Sequence, residues 1–193
     1  MLKYKDSGVI FNEEYHTYKL NGKKLHGITG AIQDYFFPAE FDSIPPSVLK
    51  KACDRGTEVH SQIEHFILYG IMPTHERAIR FVELGLKGLV KSEYLVTDKE
   101  YWASAIDIVQ EVEGGVNLLD IKTTSKLHSA KLSWQLSIYR YLFELQNPTI
   151  QVKKAQAVWL NSKDAKLVDV ELIDSKTIEE FLTIARYQLP YNI

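Results

Sequence analysis

Two aspartates and a lysine interrupt an apolar, β-branched stretch at residues 103–124, which reads ASAIDIVQEVEGGVNLLDIKTT. Asp107 breaks the first apolar run, and Asp120 and Lys122 break the second near its end. The residues 113–115 between the two runs, Glu-Gly-Gly, are a strong hairpin signal. Because residues two apart in a strand share a face, Asp120 and Lys122 point the same way.

Two alternative loops would close this hairpin, and they give different registers. A Glu113-Gly114 loop places Asp107 directly opposite Asp120. A Gly114-Gly115 loop places Asp107 opposite Lys122, with Asp120 on the diagonal. In both registers two carboxylates and an ammonium group gather on one face of the hairpin, within a few ångströms of each other.

Neighbouring carboxylates in an apolar hairpin repel each other, and their burial is costly unless positive charge lies between them. A hard divalent cation meets that requirement, since Mg²⁺ and Mn²⁺ prefer carboxylate, carbonyl and water oxygens. The alternative is an ordinary Asp–Lys pair on the solvated face of a hairpin. These three residues alone favour the two interpretations equally.

Composition bounds the class of protein. A chain of 193 residues with 45% hydrophobic and 25% charged residues is typical of one soluble globular domain. No apolar run approaches membrane-spanning length, so we expect no membrane contact. The single cysteine, Cys53, excludes an internal disulfide framework and a four-cysteine iron–sulfur cluster, and it favours a reducing compartment. The net charge of −2 counts mildly against tight non-specific binding of nucleic acid by the whole surface.

The segments around the hairpin predict the elements that position these residues. Asn21-Gly22 predicts a hairpin over residues 9–25, and we assign His16, just before the turn, a structural role. The pattern predicts a helix that begins at Pro45-Pro46 and has a break or kink at Arg55-Gly56. It further predicts helices over 57–69, 74–91, 130–146 and 175–188, and strands over 93–102, 153–161 and 166–172.

The Asp, β-turn and Asp-x-Lys arrangement resembles the core of the PD-(D/E)xK nucleases. The residues 119–124, LDIKTT, with WQLSIY at 134–139, are similar to the RecB-type branch, which includes phage and mitochondrial exonucleases. The resemblance extends upstream to 56–60, GTEVH, and covers most of the chain. It implies an α/β fold in which a central mixed sheet, built on residues 93–122, has helices on both faces. We expect one nuclease domain over 1–193, with an N-terminal hairpin and helices to about 92 and a catalytic core from about 93.

The resemblance also implies roles for individual residues. Asp107, Asp120, the backbone carbonyl of Ile121 and His60 would hold one or two Mg²⁺ or Mn²⁺ ions. Glu93 matches a family glutamate and is a candidate ligand, and Glu64, one helical turn after His60, is a candidate ligand or orienting partner. Lys122, Gln135 and Tyr139 match the catalytic Asp-x-Lys and Gln-x-x-x-Tyr positions, which would stabilise and contact the phosphate. Ser104 stands where relatives carry glycine, which could change activity or strand preference.

The implied function is metal-dependent hydrolysis of DNA by a phage-type exonuclease acting on single strands or duplex ends. Recombination or replication proteins are the expected partners, and the cytoplasm of a bacterial or phage-infected cell is the expected location. The alternative is a DNA-end-binding or structural module that keeps the fold and turns over little. Asp107, Asp120 and Lys122 all being present favours the enzyme.

Overall fold

A computed structural model describes residues 2–188 of the chain as eight strands and five helices. The strands are β1 Val9–Asn12, β2 Thr17–Leu20, β3 Lys23–Gly27, β4 Leu89–Thr97, β5 Trp102–Val112, β6 Gly115–Lys122, β7 Val152–Leu160 and β8 Ala165–Asp169. The helices are α1 Ile28–Phe36, α2 Pro46–Tyr69, α3 Glu76–Glu83, α4 Ser129–Gln146 and α5 Ser175–Gln188. The predicted α/β architecture, a mixed sheet with helices on both faces, is confirmed.

The sheet is mixed, and β5 lies at its centre. Strands β1, β2 and β3 form an antiparallel meander, and β3 then runs parallel to the start of β5. Strands β4 and β6 pair antiparallel with β5, β7 pairs parallel with β6, and β8 closes the sheet antiparallel to β7. The parallel β6–β7 pair requires a crossover, which α4 supplies.

The two faces of the sheet carry separate apolar clusters. Helices α1, α4 and α5 cover one face through residues such as Ile32, Leu136 and Phe181. Helices α2 and α3 cover the other face through residues such as Ile63 and Phe81. A residue on β5 or β6 can therefore meet side chains from helices on either side.

One edge of β5 is shared by two strands that do not touch each other along it. Ala103 pairs with Thr97 of β4 and with Gly27 of β3, so β3 lies on the edge away from β4. Ile108 pairs with Ser92 of β4 and with Leu119 of β6, so β6 also lies on the edge of β5 away from β4. This is the edge on which β3 lies. Within the described part of the chain, residues 104–107 of β5 consequently have no strand partner on this edge. We call this gap between β3 and β6 the fork.

Helix α2 differs from the sequence prediction. We expected a break or kink at Arg55-Gly56 and a new helix from Thr57, but α2 is continuous over 24 residues. The break was wrong because an interior glycine only weakens a helix, and packing of Val59 and Ile63 against the sheet outweighs that cost. The predicted end at Gly70 is correct: its φ of 68° gives the left-handed cap that favours glycine.

The predicted third helix over 74–91 is also too long. Helix α3 ends at Glu83, and β4 begins at Leu89. Gly85 and Gly88 between them have φ values of 62° and 72°, which a helix cannot contain. Leu84 and Leu86 therefore lie in the connection and pack against the core, and Leu89 and Val90 enter the sheet rather than prolong the helix. No helix among residues 2–188 is long and apolar enough to span a bilayer.

The continuous α2 predicts opposite effects for two glycines. Gly56→Ala should raise the free energy of unfolding by about 0.5–1 kcal/mol, because alanine favours a helix interior and its Cβ would lie 3.7 Å from Thr123 Oγ1, an ordinary contact. Gly70→Ala should lower it by about 1 kcal/mol, because the left-handed cap is strained for a residue with Cβ. Urea denaturation of both variants measures the two changes. A destabilising Gly56→Ala would contradict the unbroken helix.

Candidate metal centre

Three acidic residues lie in a row across three adjacent strands. Ser92 pairs with Ile108 and Tyr94 with Ile106, so Glu93 of β4 lies opposite Asp107 of β5. The β5–β6 ladder runs from Val112↔Gly115 to Ile108↔Leu119, so the next position in register sets Asp107 opposite Asp120. The loop is thus Glu113-Gly114, the first of the two predicted alternatives.

Asp107 takes the place of a strand partner at the fork. Its Oδ2 accepts a hydrogen bond of 2.6 Å from the backbone N–H of Ile121. Its backbone carbonyl accepts one of 3.2 Å from Ser92 Oγ. The side chain thereby satisfies a backbone donor that the widening ladder would otherwise leave buried and unpaired. The Asp107 carboxylate is held firmly while the residue remains 8% exposed, open to the fork.

His60 reaches the site from α2, on the opposite face from α4. Its Nε2 lies 3.2 Å from the carbonyl oxygen of Ile121, so that nitrogen carries the proton and donates it. Its Nδ1 lies 3.6 Å from Asp107 Oδ2. His60 therefore contacts two of the predicted ligand groups, the carbonyl of Ile121 and the carboxylate of Asp107. Its side chain is 30% exposed, which is more than a packed core histidine requires.

Glu93 has a backbone conformation that non-glycine residues rarely adopt. Its φ of 48° lies in the left-handed region within an otherwise extended strand, at a cost of roughly 1–3 kcal/mol. Burial, together with the charges of Asp107, Glu64 and Asp120, raises the pKa of the Glu93 carboxyl to about 8. Strain and burial of this kind persist only where the surroundings enforce them, and they are frequent at functional sites.

His60, Glu93 and Asp107 are close enough to share one cation. Each offers a ligand atom, and the three atoms lie within 4.8 Å of one another. Two carboxylates and an imidazole suit a divalent ion, Mn²⁺ better than Mg²⁺ because of the nitrogen ligand. The mutual repulsion that raises the pKa of Glu93 is what a bound cation would remove. These three residues therefore fit the predicted metal.

Asp120 is in the same cavity but directs its oxygens toward α4. Its Oδ1 accepts a 2.8 Å hydrogen bond from Gln135 Nε2, and its Oδ2 lies 2.6 Å from Lys122 Nζ. Gln135 Nε2 also lies 2.8 Å from the hydroxyl of Tyr139, and Gln135 Oε1 accepts from Lys122 Nζ at 3.2 Å. Gln135 is thus the hub of a network that joins the aspartate, the lysine and the tyrosine.

The charges in this network are strongly coupled. Burial raises the pKa of Asp120 to about 6, against the opposing charge of Lys122. Burial alone would lower the pKa of Lys122, but the charges of Asp120 and Asp107 outweigh it and raise that pKa. Lys122 is consequently an ammonium group at neutral pH. Burial also raises the pKa of the Tyr139 hydroxyl, which stays a neutral donor.

One cavity of about 510 Å³ opens at the fork, and every residue that the sequence analysis proposed for the site lines it. Those residues are His60, Glu64, Glu93, Asp107, Asp120, Ile121, Lys122, Gln135 and Tyr139. They come from α2, β4, β5, β6 and α4, and the helices approach from both faces of the sheet.

The sequence analysis missed the contribution of the N-terminal meander. Tyr18 of β2 and His16, to which we gave a structural role, both line the cavity. Tyr18 is 4% exposed, and burial together with the charges of Glu93 and Asp107 raises its pKa to about 12. The turn signal beside them, Asn21-Gly22, is confirmed as a hairpin by φ values of 49° and 82°. That turn does not predict which strand of the sheet the hairpin will pair with.

Ser104, in place of the expected glycine, fills the fork from the other side. It is 2% exposed, and its hydroxyl bonds to the hydroxyls of both Tyr18 and Tyr139. The backbone of Ala105 also bonds to Tyr18. The polar groups of β5 that lack a strand partner are therefore met by tyrosine side chains from β2 and α4.

Known proteins give one family match and a distant structural likeness. Residues 103–189 match the PD-(D/E)XK nuclease superfamily, which supports assignment of the chain to that superfamily. A solved structure described as "Crystal structure of SSO0001" is similar at 12% sequence identity and a TM-score of 0.46, over 90% of this chain and 80% of that one. No curated protein matches.

The position of His60 predicts that its loss affects metal binding more than folding. His60→Ala should raise the Kd for Mn²⁺ by about tenfold or more, since it removes one of three converging ligands. The melting temperature without metal should change by only a few degrees. Isothermal calorimetry with Mn²⁺ and thermal melts provide the two readouts. His65→Ala, on the exposed side of the same helix, is the matched control and should change neither.

An unchanged Mn²⁺ affinity in His60→Ala, with a large loss of thermal stability, would assign His60 to the core instead.

The Asp120–Lys122 pair predicts a strong coupling in stability. Asp120→Asn should lower the free energy of unfolding by about 1.5–3 kcal/mol in EDTA, because Lys122 loses its closest carboxylate while its side chain stays only 28% exposed. The double variant Asp120→Asn/Lys122→Met should recover part of that loss. The exposed pair Lys50–Asp54 is the control, for which coupling should be about 0.3–0.5 kcal/mol. Strictly additive effects at 120 and 122 would contradict the pairing.

Proposed function

We propose that this chain, with its match to the PD-(D/E)XK nuclease superfamily, is a Mg²⁺- or Mn²⁺-dependent deoxyribonuclease. The observation that carries the proposal is the convergence of His60, Glu93 and Asp107 beside the Asp120–Lys122 pair in one cavity. Nucleases of this superfamily are generally dependent on divalent metals. The cavity is lined from the N-terminal meander through to α4, so we propose that residues 1–193 act as one nuclease domain.

The ligand set that we propose has a core and an outer part. His60, Glu93 and Asp107 would hold the ion, and Asp120 with the carbonyl of Ile121 would complete its coordination. Glu64, whose charge contributes to the raised pKa of Glu93, would orient the set from α2. When bound, the ion would activate water for attack and neutralise charge on the phosphodiester.

Lys122 would stabilise the phosphate as a cation rather than act as a base. The charges of Asp120 and Asp107 favour its protonated form, which rules against a proton-accepting role at neutral pH. An ammonium group fixed 2.6 Å from a carboxylate is preorganised, so it need not reorient when charge develops on the phosphate oxygens.

Gln135 and Tyr139 would keep Asp120 and Lys122 in position. The Gln135 amide contacts Asp120, Lys122 and the Tyr139 hydroxyl at 2.8, 3.2 and 2.8 Å. Because Gln135 bonds to all three side chains, it holds each of them in one rotamer. Because Tyr139 is only 2% exposed, it would influence the DNA backbone indirectly, through its hydrogen bond to Gln135.

We infer the biological setting from the resemblance of residues 119–139 to the RecB-type branch. The proposal is a phage-type exonuclease that acts on single-stranded DNA or duplex ends, with recombination or replication proteins as partners, in the cytoplasm of a bacterial host. An alternative is a DNA-end-binding module with little turnover. The observation that favours the alternative is Ser104, whose side chain occupies a position where relatives carry glycine.

A metal-dependent nuclease assay separates the two functions. With Mg²⁺ or Mn²⁺ the protein should degrade labelled DNA, and EDTA should abolish that activity. Asp107→Asn should reduce the rate by at least about 10³-fold, because it removes a ligand and a fixed negative charge at once. Asp169→Asn, a change in an exposed ion pair on β8, is the control and should leave the rate unchanged.

DNA binding with no hydrolysis in either metal would support the binding module. Activity that survives exhaustive chelation would contradict both.

A further inference from the structure

A second cavity of about 300 Å³ adjoins the first through a shared wall. His16, Tyr18 and Thr29 line both cavities. The second one lies between the β1–β2 turn, the β3 strand and the first turns of α1, on the side of the wall away from the acidic residues. A volume near 300 Å³ is at the lower end of the range for small-ligand sites, roughly 300–1,000 Å³.

The wall between the cavities is fixed. The Tyr18 hydroxyl faces the fork, where it bonds to Ser104 and Ala105. The Tyr18 ring packs so closely on β3 that a Cβ added to Gly27 would lie 3.2 Å from its Cε2. A nucleic acid strand that passes the acidic residues would therefore meet this wall and then the second cavity, because His16, Tyr18 and Thr29 line both cavities.

The lining of the second cavity combines the groups that a nucleotide uses. It offers aromatic rings for a base, hydroxyls and backbone amides for sugar and phosphate, one lysine, and one aspartate that can accept from exocyclic amines. Those groups are Tyr15, His16, Thr17, Lys24, Thr29 and Asp34.

Tyr15 is the most available of these aromatic rings. It is 69% exposed on the turn between β1 and β2, and the turn is fixed by a 2.9 Å hydrogen bond from the Tyr15 backbone N–H to Asn12 Oδ1. Of the other rings in the lining, Tyr18 is 4% exposed, His16 packs edge-on against Phe11, and His26 stacks on Tyr101 with a centroid distance of 4.4 Å. An exposed tyrosine on a fixed turn is the type of platform on which single-stranded bases stack.

We propose that this second cavity is a nucleotide subsite, in which a base of a single-stranded nucleic acid stacks on Tyr15 while the adjoining phosphate passes Tyr18 into the metal centre. The inference rests on the proposed nuclease function and extends it by assigning a substrate-binding role to the N-terminal meander. It also favours a single strand as the bound form, because a base in a duplex would have to be unpaired and unstacked before it could enter the cavity.

The test measures binding without turnover. Fluorescence anisotropy of a labelled 12-mer DNA strand in Ca²⁺ compares Tyr15→Ala with Tyr69→Ala, a matched tyrosine at 68% exposure on the far end of α2. Tyr15→Ala should weaken binding by about fivefold or more, the loss expected for one base–aromatic stack. Tyr69→Ala should bind as the wild type does.

An abasic residue moved along the 12-mer locates the stacked base. One position should weaken wild-type binding, and the same substitution should cost Tyr15→Ala nothing, as in a double-mutant cycle. A cost that is equal in both proteins at every position would overturn the proposal.

A charge test at the rim of the cavity uses Gly30. A Cβ there meets no atom within 4 Å, and the residue lies in the first turn of α1, so a longer side chain is tolerated. Gly30→Glu should weaken binding about threefold or more at low salt, because its charge repels the phosphate, and the effect should shrink at high salt. Gly30→Gln, of the same size, should change affinity much less.

These readouts separate the inference from the proposed function. A wild-type protein that binds the strand through Tyr15 but hydrolyses nothing in Mg²⁺ or Mn²⁺ would refute the nuclease and keep the subsite. Normal hydrolysis with wild-type binding by both Tyr15→Ala and Gly30→Glu would refute the subsite and keep the nuclease. Equal losses of binding affinity in Tyr15→Ala and Tyr69→Ala, or no binding of the strand by the wild type, would also refute the subsite.

Discussion

The unpaired edge of β5 between Ala103 and Ile108 is the constraint on which the site depends. A buried strand must satisfy its backbone hydrogen bonds, and here β3 pairs with one end of the edge and β6 with the other. The gap between them is bridged by side chains: Asp107 bonds to the backbone of β6, and Tyr18 bonds to Ser104 and Ala105. The same opening that interrupts the ladder creates the space in which a phosphate can approach the carboxylates.

The negative charges of the acidic residues around this opening are compensated in two different ways. The charge of Asp120 is compensated within the protein by the Lys122 ammonium group, and Gln135 donates a hydrogen bond to the same carboxylate. Among residues 2–188, no lysine or arginine forms an ion pair with Glu93 or Asp107, and burial together with the charge of Asp107 raises the pKa of Glu93. This difference explains why a metal is expected beside His60, Glu93 and Asp107, with Asp120 at the boundary between the metal and the phosphate-binding lysine.

The N-terminal meander has a larger role than its distance in sequence suggests. In the described part of the chain, β3 pairs with β5 at His26 and Gly27 alone, and Phe11, His16 and Tyr18 of the meander line the cavity at the fork. Two cavities therefore share the residues His16 and Tyr18, and the proposed path of the nucleic acid runs between the meander and the hairpin. Removal of the meander would therefore open one side of the site.

Local chemistry in the sequence determined the β5–β6 hairpin, the helix over 130–146 and the last helix, because period-two and period-3.6 patterns and turn residues act over a few positions. It also identified the acidic residues and the lysine as one group, since a hairpin brings them together in either register. The choice of register, the unbroken α2 and the early end of α3 depended on packing between distant elements. Which strands would share an edge of β5, and hence that Tyr18 and His16 would meet Asp107, was decided by the tertiary structure alone. That outcome depends on pairings across about 75 residues of chain, from Gly27 to Ala103, and no local pattern encodes them.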